Sequence, residues 1–349
     1  MLIPARCFVG GRVTRVSIRD VALRAGVSVG TVSNVLNRPD EVSSESLARV
    51  NTAIEKLGYV RNDAARKLRN GVSSSVGFVV LDGQNPFFND VVRGAEDEAS
   101  RHQIAVLHGN TDEDPSRERQ YLDLFEEQQV RGVLIAPYGD ISQRLERLRG
   151  RVPVVLVDRF SGDGRYSSVS VDSVAGGRMA AEHLIETGRR RIGFVGGPFE
   201  IRQVTDRLAG ARVAVENSDA SVDLEVFATT ALTVEQGVAA GMRILSRPRR
   251  DRPDALFAAN DLLALGLLQA LAVDGRMLVP EEIALIGFDD ISFAAAAAVP
   301  LSSMRQPSST IGRTALRVLL EEAADPELIP RQTVFLPELV VRASTRAKR

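Results

Sequence analysis

Apolar residues recur with one period near the start of the chain and with another further along, and the change divides it in two. Between Ser17 and Gly58 the period is helical. Ile18, Val21, Ala22 and Ala25 fall at i, i+3, i+4 and i+7, one apolar stripe of an amphipathic helix. Ser17 and Asp20 stand three residues apart as in a capping box, and Gly26 supplies the permissive backbone that ends a helix. Ser28 is a second N-cap candidate. Val32, Val35 and Leu36 give the following segment an inward face, while Val29, Gly30, Ser33 and Asn34 point elsewhere. A third helix is expected from about Ser43 to Leu57, with Leu47, Val50, Ile54 and Leu57 on one stripe and Gly58 as its stop. The pattern predicts a helix, a tight turn, a helix and a third helix that closes a small core.

From Ser75 onward, short contiguous apolar runs alternate with amphipathic stretches such as Phe88 to Arg101. Strand candidates are Val76–Leu81, Ile104–Leu107, Val133–Ala136, Val154–Val157, Ile192–Val195, Ala255–Ala258 and Ile283–Phe288. Alternation of this kind predicts βαβ units and parallel sheets, and contiguous apolar runs fit strands covered on both faces. The segment is long for one doubly wound sheet, so two lobes are expected, the first near 74–172 and the second near 173–302. The fold class is thus an N-terminal all-α module followed by an α/β core of two doubly wound parallel-sheet lobes.

Composition narrows the picture. The chain has 349 residues, 44% hydrophobic and 26% charged, with no apolar run near the roughly 18 residues needed to cross a bilayer. Cys7 is the only cysteine, which excludes a disulfide scaffold. The first 15 residues carry Arg6, Arg12 and Arg15 but no apolar core of a signal peptide, so they are expected to be a disordered basic extension of a cytoplasmic protein. Residues 1–72 hold 12 Lys and Arg against six Asp and Glu, so the net charge of −1 for the whole chain conceals a basic module on an acidic body. Basic side chains gain free energy by displacing counterions condensed on phosphates, and this balance points towards a polyanion, although a basic tail has the same composition.

The string from Ile18 to Asn37 resembles the helix-turn-helix of the lac repressor family of bacterial transcription regulators. The likeness continues through Val42-Ser43 and Leu57-Gly58-Tyr59-Val60-Arg61-Asn62 into Ala65 and Leu68. The second helix of such a motif lies in the major groove of double-stranded DNA, with its N-terminal residues at base edges. Here those are Val29, Gly30 and Asn34. By the resemblance Val29 and Gly30 fill the two positions that usually discriminate bases, yet Gly30 has no side chain to read with and Val29 offers only apolar contact, for instance to a thymine methyl. Ser28, Thr31 and Ser33 read better as phosphate contacts, and Thr31 and Ser33 fit plain surface residues equally well. Helix-turn-helix residues 16–60 are followed by 61–73, which on composition is a short helix-compatible linker. The resemblance implies that it is a hinge helix on DNA, in which Ala65 and Leu68 approach the minor groove and Leu68 acts as a wedge.

The same resemblance implies a core, residues 74–349, like that of periplasmic sugar-binding proteins, with lobe 1 near 74–172 and 303–332 and lobe 2 near 173–302 and 333–349. Ligands of open α/β sheets bind beyond the carboxyl ends of the strands. Polar residues there include Asp82, Asn85, Asp158-Arg159, Asn260-Asp261 and Asp289-Asp290, each of which fits the cap of a following helix as well as a ligand contact. Asp261 fits the cap and Asn260 the cleft. The resemblance selects Asp158, Arg207, Asn260 and Asp289 as effector ligands, with Arg159 beside them. Phe87, Phe88, Phe160 and Phe293 would supply apolar faces for a sugar. Arg207 would clamp hydroxyls or a carboxylate through its fork of donors.

Nothing in the chain points to catalysis, a metal or a cofactor. His102, His108 and His183 lack metal or triad spacing, Ser302-Ser303 lacks a nucleophile elbow, and no phosphate-binding glycine string occurs. The expected protein is a regulator, with repression the expected sign. It binds operator DNA and a small effector, for which the resemblance suggests a sugar but also admits nucleobases, as a homodimer without a membrane, since no leucine heptads follow Val341. A solute-binding protein for sugar uptake shares such a core, but should begin with a signal peptide and lack residues 17–70. A sugar-acting enzyme is the other alternative.

Overall fold

The computed structural model describes residues 16–59, 73–148, 150–273 and 277–346. The chain divides into two compact units, residues 1–72 and 73–349.

In the first unit α1 (Ile18–Ala25), α2 (Val29–Asn37) and α3 (Ser44–Leu57) enclose Val21, Ala22, Val32, Val35, Val50 and Ala53. The caps explain the boundaries. Ser17 and Asp20 form a reciprocal capping box, Ser28 Oγ accepts the Thr31 N–H, and Gly26 and Gly58 end α1 and α3 in the left-handed conformation, with φ of 62° and 61°. Arg49 on α3 donates through Nε to the Ala25 carbonyl at 3.0 Å and through Nη2 to that of Gly26 at 2.9 Å, tying the turn between α1 and α2 to the third helix.

The second unit contains two six-stranded sheets. The first, in the order β11-β5-β4-β3-β1-β2, comprises β1 (Ser75–Val80), β2 (Ala105–Asn110), β3 (Val133–Ile135), β4 (Val154–Val157), β5 (Ser167–Val171) and β11 (Gln332–Phe335), all parallel. The second, β12-β10-β9-β8-β6-β7, comprises β6 (Arg191–Gly196), β7 (Asp223–Ala228), β8 (Ala255–Ala258), β9 (Ala284–Asp289), β10 (Ser302–Arg305) and β12 (Glu338–Val340), with β12 alone antiparallel. Helices α4 (Pro86–Arg101), α5 (Pro115–Glu127), α6 (Ser142–Leu148) and α12 (Ser308–Ala324) belong to the first lobe. Helices α7 (Ser173–Glu186), α8 (Arg202–Glu216), α9 (Val234–Leu245), α10 (Asp261–Val273) and α11 (Ser292–Ala296) belong to the second. The chain crosses between lobes three times, at 171–173, 305–308 and 335–338. β10 lies in the second sheet and β11 in the first, so the last two crossings fall about three residues later than the expected 303 and 333.

Three helix pairs cross through glycines facing each other's backbone. A Cβ on Gly94 of α4 would collide with the Ser309 carbonyl, and one on Gly312 of α12 with that of Val91. Gly177 and Gly210 stand in the same relation where α7 meets α8, and Gly237 and Gly266 where α9 meets α10. Without side chains between them the helices approach closely and bury their backbones against one another.

The strands absent from the sequence reading are polar or lie at edges. β5 carries Ser167, Ser168 and Ser170, all buried and all without an apolar signal. β2 was expected to be covered on both faces, yet it is the edge of its sheet and half of its residues are exposed, including Leu107.

Candidate functional site

Each unit presents one polar face that packing does not explain. On α2, Val32 and Val35 are buried, while Val29 is 42% exposed and Gly30 and Asn34 are open to solvent. Val29, Gly30 and Asn34 therefore share the outer face at the helix N-terminus. The hydroxyls beside them are partly committed, since Ser28 Oγ lies 2.9 Å from Thr31 Oγ1 and the Asn37 amide donates to Ser33 Oγ at 3.3 Å. Ala65 and Leu68 lie outside the described residues.

In the core, the residues just past the strand ends converge between the lobes. Asp158 follows β4 and Asp289 ends β9, with φ of 55° and 109°. These left-handed conformations cost on the order of 1–3 kcal/mol each and gather at ligand-binding positions; aspartate tolerates the αL one better than most residues. Both side chains are buried. Arg207, 3% exposed, comes from α8. Its guanidinium lies 3.7 Å above the Phe288 ring, donates from Nη1 to the Ala259 carbonyl at 2.6 Å, and brings Nη2 to 3.7 Å from Asp289 Oδ1. Asn85 of the first lobe donates to Asp289 Oδ2 at 3.1 Å, and Gln306, at the second crossover, to Oδ1 at 2.7 Å. In the reverse direction, Gln203 of α8 reaches the Asp158 carbonyl at 2.5 Å and its Oδ2 at 3.0 Å. Burial pushes the Asp158 carboxyl up to about 7, against the pull of Arg207, and also raises Asp289, with Arg207 again opposing. Three buried polar atoms here have no partner: Gln203 Oε1, Gln306 Oε1 and Arg207 Nε. Buried polar atoms are otherwise nearly always satisfied, and three left in this way beside the interlobe aspartates point to a ligand.

Residues 17–62 match the family model described as bacterial regulatory proteins, lacI family, and residues 181–345 match that of a periplasmic binding protein-like domain. The HTH-type transcriptional repressor CytR of Escherichia coli (strain K12) is 32% identical over 335 residues, covering 96% of this chain and 97% of that protein. The ribose operon repressor of the same strain is 32% identical over 334 residues, covering 94% and 99%. The chain belongs to the lacI family of bacterial regulatory proteins. Among solved structures, the transcriptional regulator CelR in complex with cellobiose is similar with a TM-score of 0.70 at 32% identity, over 95% of this chain and 100% of that one. As a member of the lacI family, this protein is a DNA-binding transcriptional regulator.

Within this lacI-family core the structure brings Asp158, Arg207 and Asp289 together, but distributes the other expected ligands differently. Asn260 is the helix cap, its Oδ1 accepting the Leu263 N–H at 2.9 Å while its Nδ2 donates to the Leu232 carbonyl at 3.0 Å. Asp261, the expected cap, instead turns back beneath β9. Arg159 does not join the cluster. It donates to the Gly139 carbonyl at 2.8 Å and lines a groove of about 530 Å³ between the lobes with Asp140, Phe199, Arg202 and Asp206. Phe87 and Phe88 are 2% and 4% exposed and stack edge to face within the core, whereas Phe160 and Phe293 are largely exposed.

Sequence reasoning missed Gln203 and Gln306. Gln203 stands four residues before Arg207 on α8, so helical spacing places both on one face, a usable signal. Gln306 follows β10 with no such mark.

Asp261 fixes the turn that presents Asp289. It is fully buried, accepting from Ser303 Oγ at 2.7 Å and from the Ile291 N–H at 2.9 Å, while Ser303 Oγ also accepts the Asp290 N–H at 3.0 Å. Asp290 is held in turn by Arg305 at 2.8 Å and Arg342 at 2.6 Å. Asp261→Ala orphans a buried N–H and a buried hydroxyl and is expected to lower unfolding stability by about 1–3 kcal/mol. Effector affinity should fall with it, although Asp261 touches no unpartnered atom of the cluster. Calorimetric affinity unchanged in a folded variant would mean that the turn is held elsewhere.

His183 is buried on α7 with Nε2 2.8 Å from Thr345 Oγ1. Among the described residues, no cluster of three or more His, Cys, Asp or Glu is placed to hold a metal, and no helix is long and apolar enough to cross a membrane.

Proposed function

We propose that the protein is a cytoplasmic, non-enzymatic repressor whose two lobes close on a small sugar-like effector and thereby change its affinity for operator DNA. The cluster of Asp158, Arg207, Asp289, Asn85, Gln203 and Gln306 carries this reading, because it joins both lobes and leaves buried donors and acceptors without partners. The solved complex of CelR with cellobiose and the ribose operon repressor support a sugar. Operator contacts are assigned to Val29, Gly30 and Asn34 at base edges, with Ser28, Thr31 and Ser33 at phosphates. Ala65 and Leu68 are assigned to the minor groove, in a hinge at 61–73 that joins a 16–60 DNA-binding domain to the core. Binding as a homodimer places two helix-turn-helix units on a pseudo-palindrome.

Operator selection from random duplexes, followed by affinity measurements against salt, tests the first half. The basic surplus of residues 1–72 predicts a steep linear fall of log K with log salt, on the order of 10³-fold between 50 and 200 mM. A flat line would sink the phosphate-contact account. Thermal-shift screening of the whole protein against sugars tests the second half, since a ligand at a hundred times its Kd stabilises by about 2.7 kcal/mol. Absence of any shift across the sugars would refute the effector class.

A further inference from the structure

We infer that the cleft takes an uncharged, hydroxyl-rich ring and turns away the phosphorylated or carboxylated derivatives of the same ring. The inference rests on reading the interlobe cluster as the effector site, and it follows from how that cluster has spent its hydrogen atoms. Both glutamines turn their amide N–H groups onto aspartates, Gln203 onto Asp158 and Gln306 onto Asp289, and leave their carbonyl oxygens bare and buried. Asn85 likewise gives its amide to Asp289 and uses its oxygen to accept the Phe87 N–H at 3.0 Å. On Arg207, Nη1 serves the Ala259 carbonyl, Nη2 faces Asp289, and the plane rests on Phe288, so that Nε is its unpartnered atom. An incoming molecule therefore meets two bare carbonyl oxygens and two carboxylates against the N–H groups of one guanidinium, which already serves Ala259 and faces Asp289. A ring of hydroxyl groups satisfies this, because each O–H donates to an oxygen and still accepts from the arginine. A phosphate or carboxylate has lone pairs to offer where lone pairs are already in surplus.

Charge points the same way. Asp158 and Asp289 share one arginine, and each is pushed up in pKa by burial that Arg207 only partly offsets; the Asp289 charge adds to the rise at Asp158. Two more first-lobe carboxylates, Asp82 and Glu113, are raised by burial, Glu113 to about 7 against the opposing pull of the Leu232 backbone. The burial that opposes ionisation of these carboxyls opposes the arrival of a further negative charge as well. The other arginines between the lobes, Arg159 and Arg202, line a groove in which each already has a partner. Arg159 is engaged by the Gly139 carbonyl and Arg202 by Asp206 at 2.8 Å.

The test is isothermal calorimetry on the full-length protein at pH 8 with matched pairs: D-ribose and ribose 5-phosphate, D-glucose and glucose 6-phosphate, D-galactose and D-galacturonate. The neutral member of any pair that binds is expected to bind at least tenfold more tightly than its anionic counterpart. Asp158→Asn keeps a side-chain oxygen facing Gln203 but removes one charge, so it should narrow that ratio at least threefold; Asp289→Asn is the second variant should the first not fold. An anionic member that binds as tightly as its neutral partner, or a ratio unmoved in a folded variant, overturns the inference and leaves the cleft reading intact. Failure of every member of every pair to bind refutes the sugar effector itself, and this inference with it.

Discussion

Arg207→Ala is expected to lower unfolding stability by about 3–5 kcal/mol at pH 8, more than its lost contacts alone account for, because it strands the buried charge that it balances. The guanidinium is the cation that draws down the pKa of both Asp158 and Asp289 against burial. Without it both folded-state values rise further. A carboxyl whose folded pKa lies above its unfolded value stabilises the protein fully below the unfolded value, near 4, and loses that contribution as pH climbs through the folded value. For Asp158 the wild-type loss spans roughly pH 4 to 7, and in the variant it extends higher. The deficit relative to wild type should therefore be large at pH 8 and shrink at pH 5, where Asp158 holds its proton. Urea titrations at the two pH values check this, and a deficit independent of pH would show that packing over Phe288, rather than charge, is what Arg207 contributes. Operator affinity without effector should be retained in variant protein that remains folded.

Gly312→Ala is expected to cost on the order of 3 kcal/mol, the upper end for overpacking, because the added methyl meets a backbone carbonyl, which cannot turn aside as a side chain can. Helices α4 and α12 would have to part, and α12 packs on β3, β4 and β5 of the first sheet. Denaturation of the core should show the loss, whereas Gly139→Ala, at a glycine with open space around it, serves as the control. An equal effect at both positions would indicate that the α4–α12 contact is not held by close approach. Gly177 makes the corresponding contact with the backbone carbonyl of Arg207, so Gly177→Ala should weaken effector binding from the far side of α8.

The helix-turn-helix was legible because its caps, stops and apolar stripe are all local: a serine side chain caps the start of each of α1 to α3, and glycines end α1 and α3. The apolar central strands were legible for a related reason, as burial on both faces leaves contiguous Val, Ile and Leu. β5 was not, because its serines carry no apolar signal and two of them are held by distant partners, Glu322 for Ser167 and Gln332 for Ser168, which no local pattern encodes. The site divides along the same line. Asp158, Arg207 and Asp289 stand where strand-end and family motifs place them, but whether Asn260 or Asp261 caps α10 depends on Ser303 and Leu232, from other parts of the chain. Gln306 was invisible because its role is set by the crossover it occupies.

The three crossings between lobes also bear on how the protein is made. Helix α12 and strand β11 complete the first lobe, yet they follow the bulk of the second in the chain, so the first sheet, begun at Ser75, lacks its last strand until Phe335 has been synthesised. Between Asp172 and Ala324 the ribosome adds about 150 residues, on the order of 8 to 30 s at usual elongation rates. Throughout that interval β5 is an unpaired edge, and the faces of β3, β4 and α4 that α12 will cover are bare. The DNA-binding unit, whose contacts are all local, completes itself well before. A nascent chain can thus carry a finished reader of DNA while its sensor is still an open sheet, and this lobe is where chaperone dependence and aggregation during overexpression should concentrate.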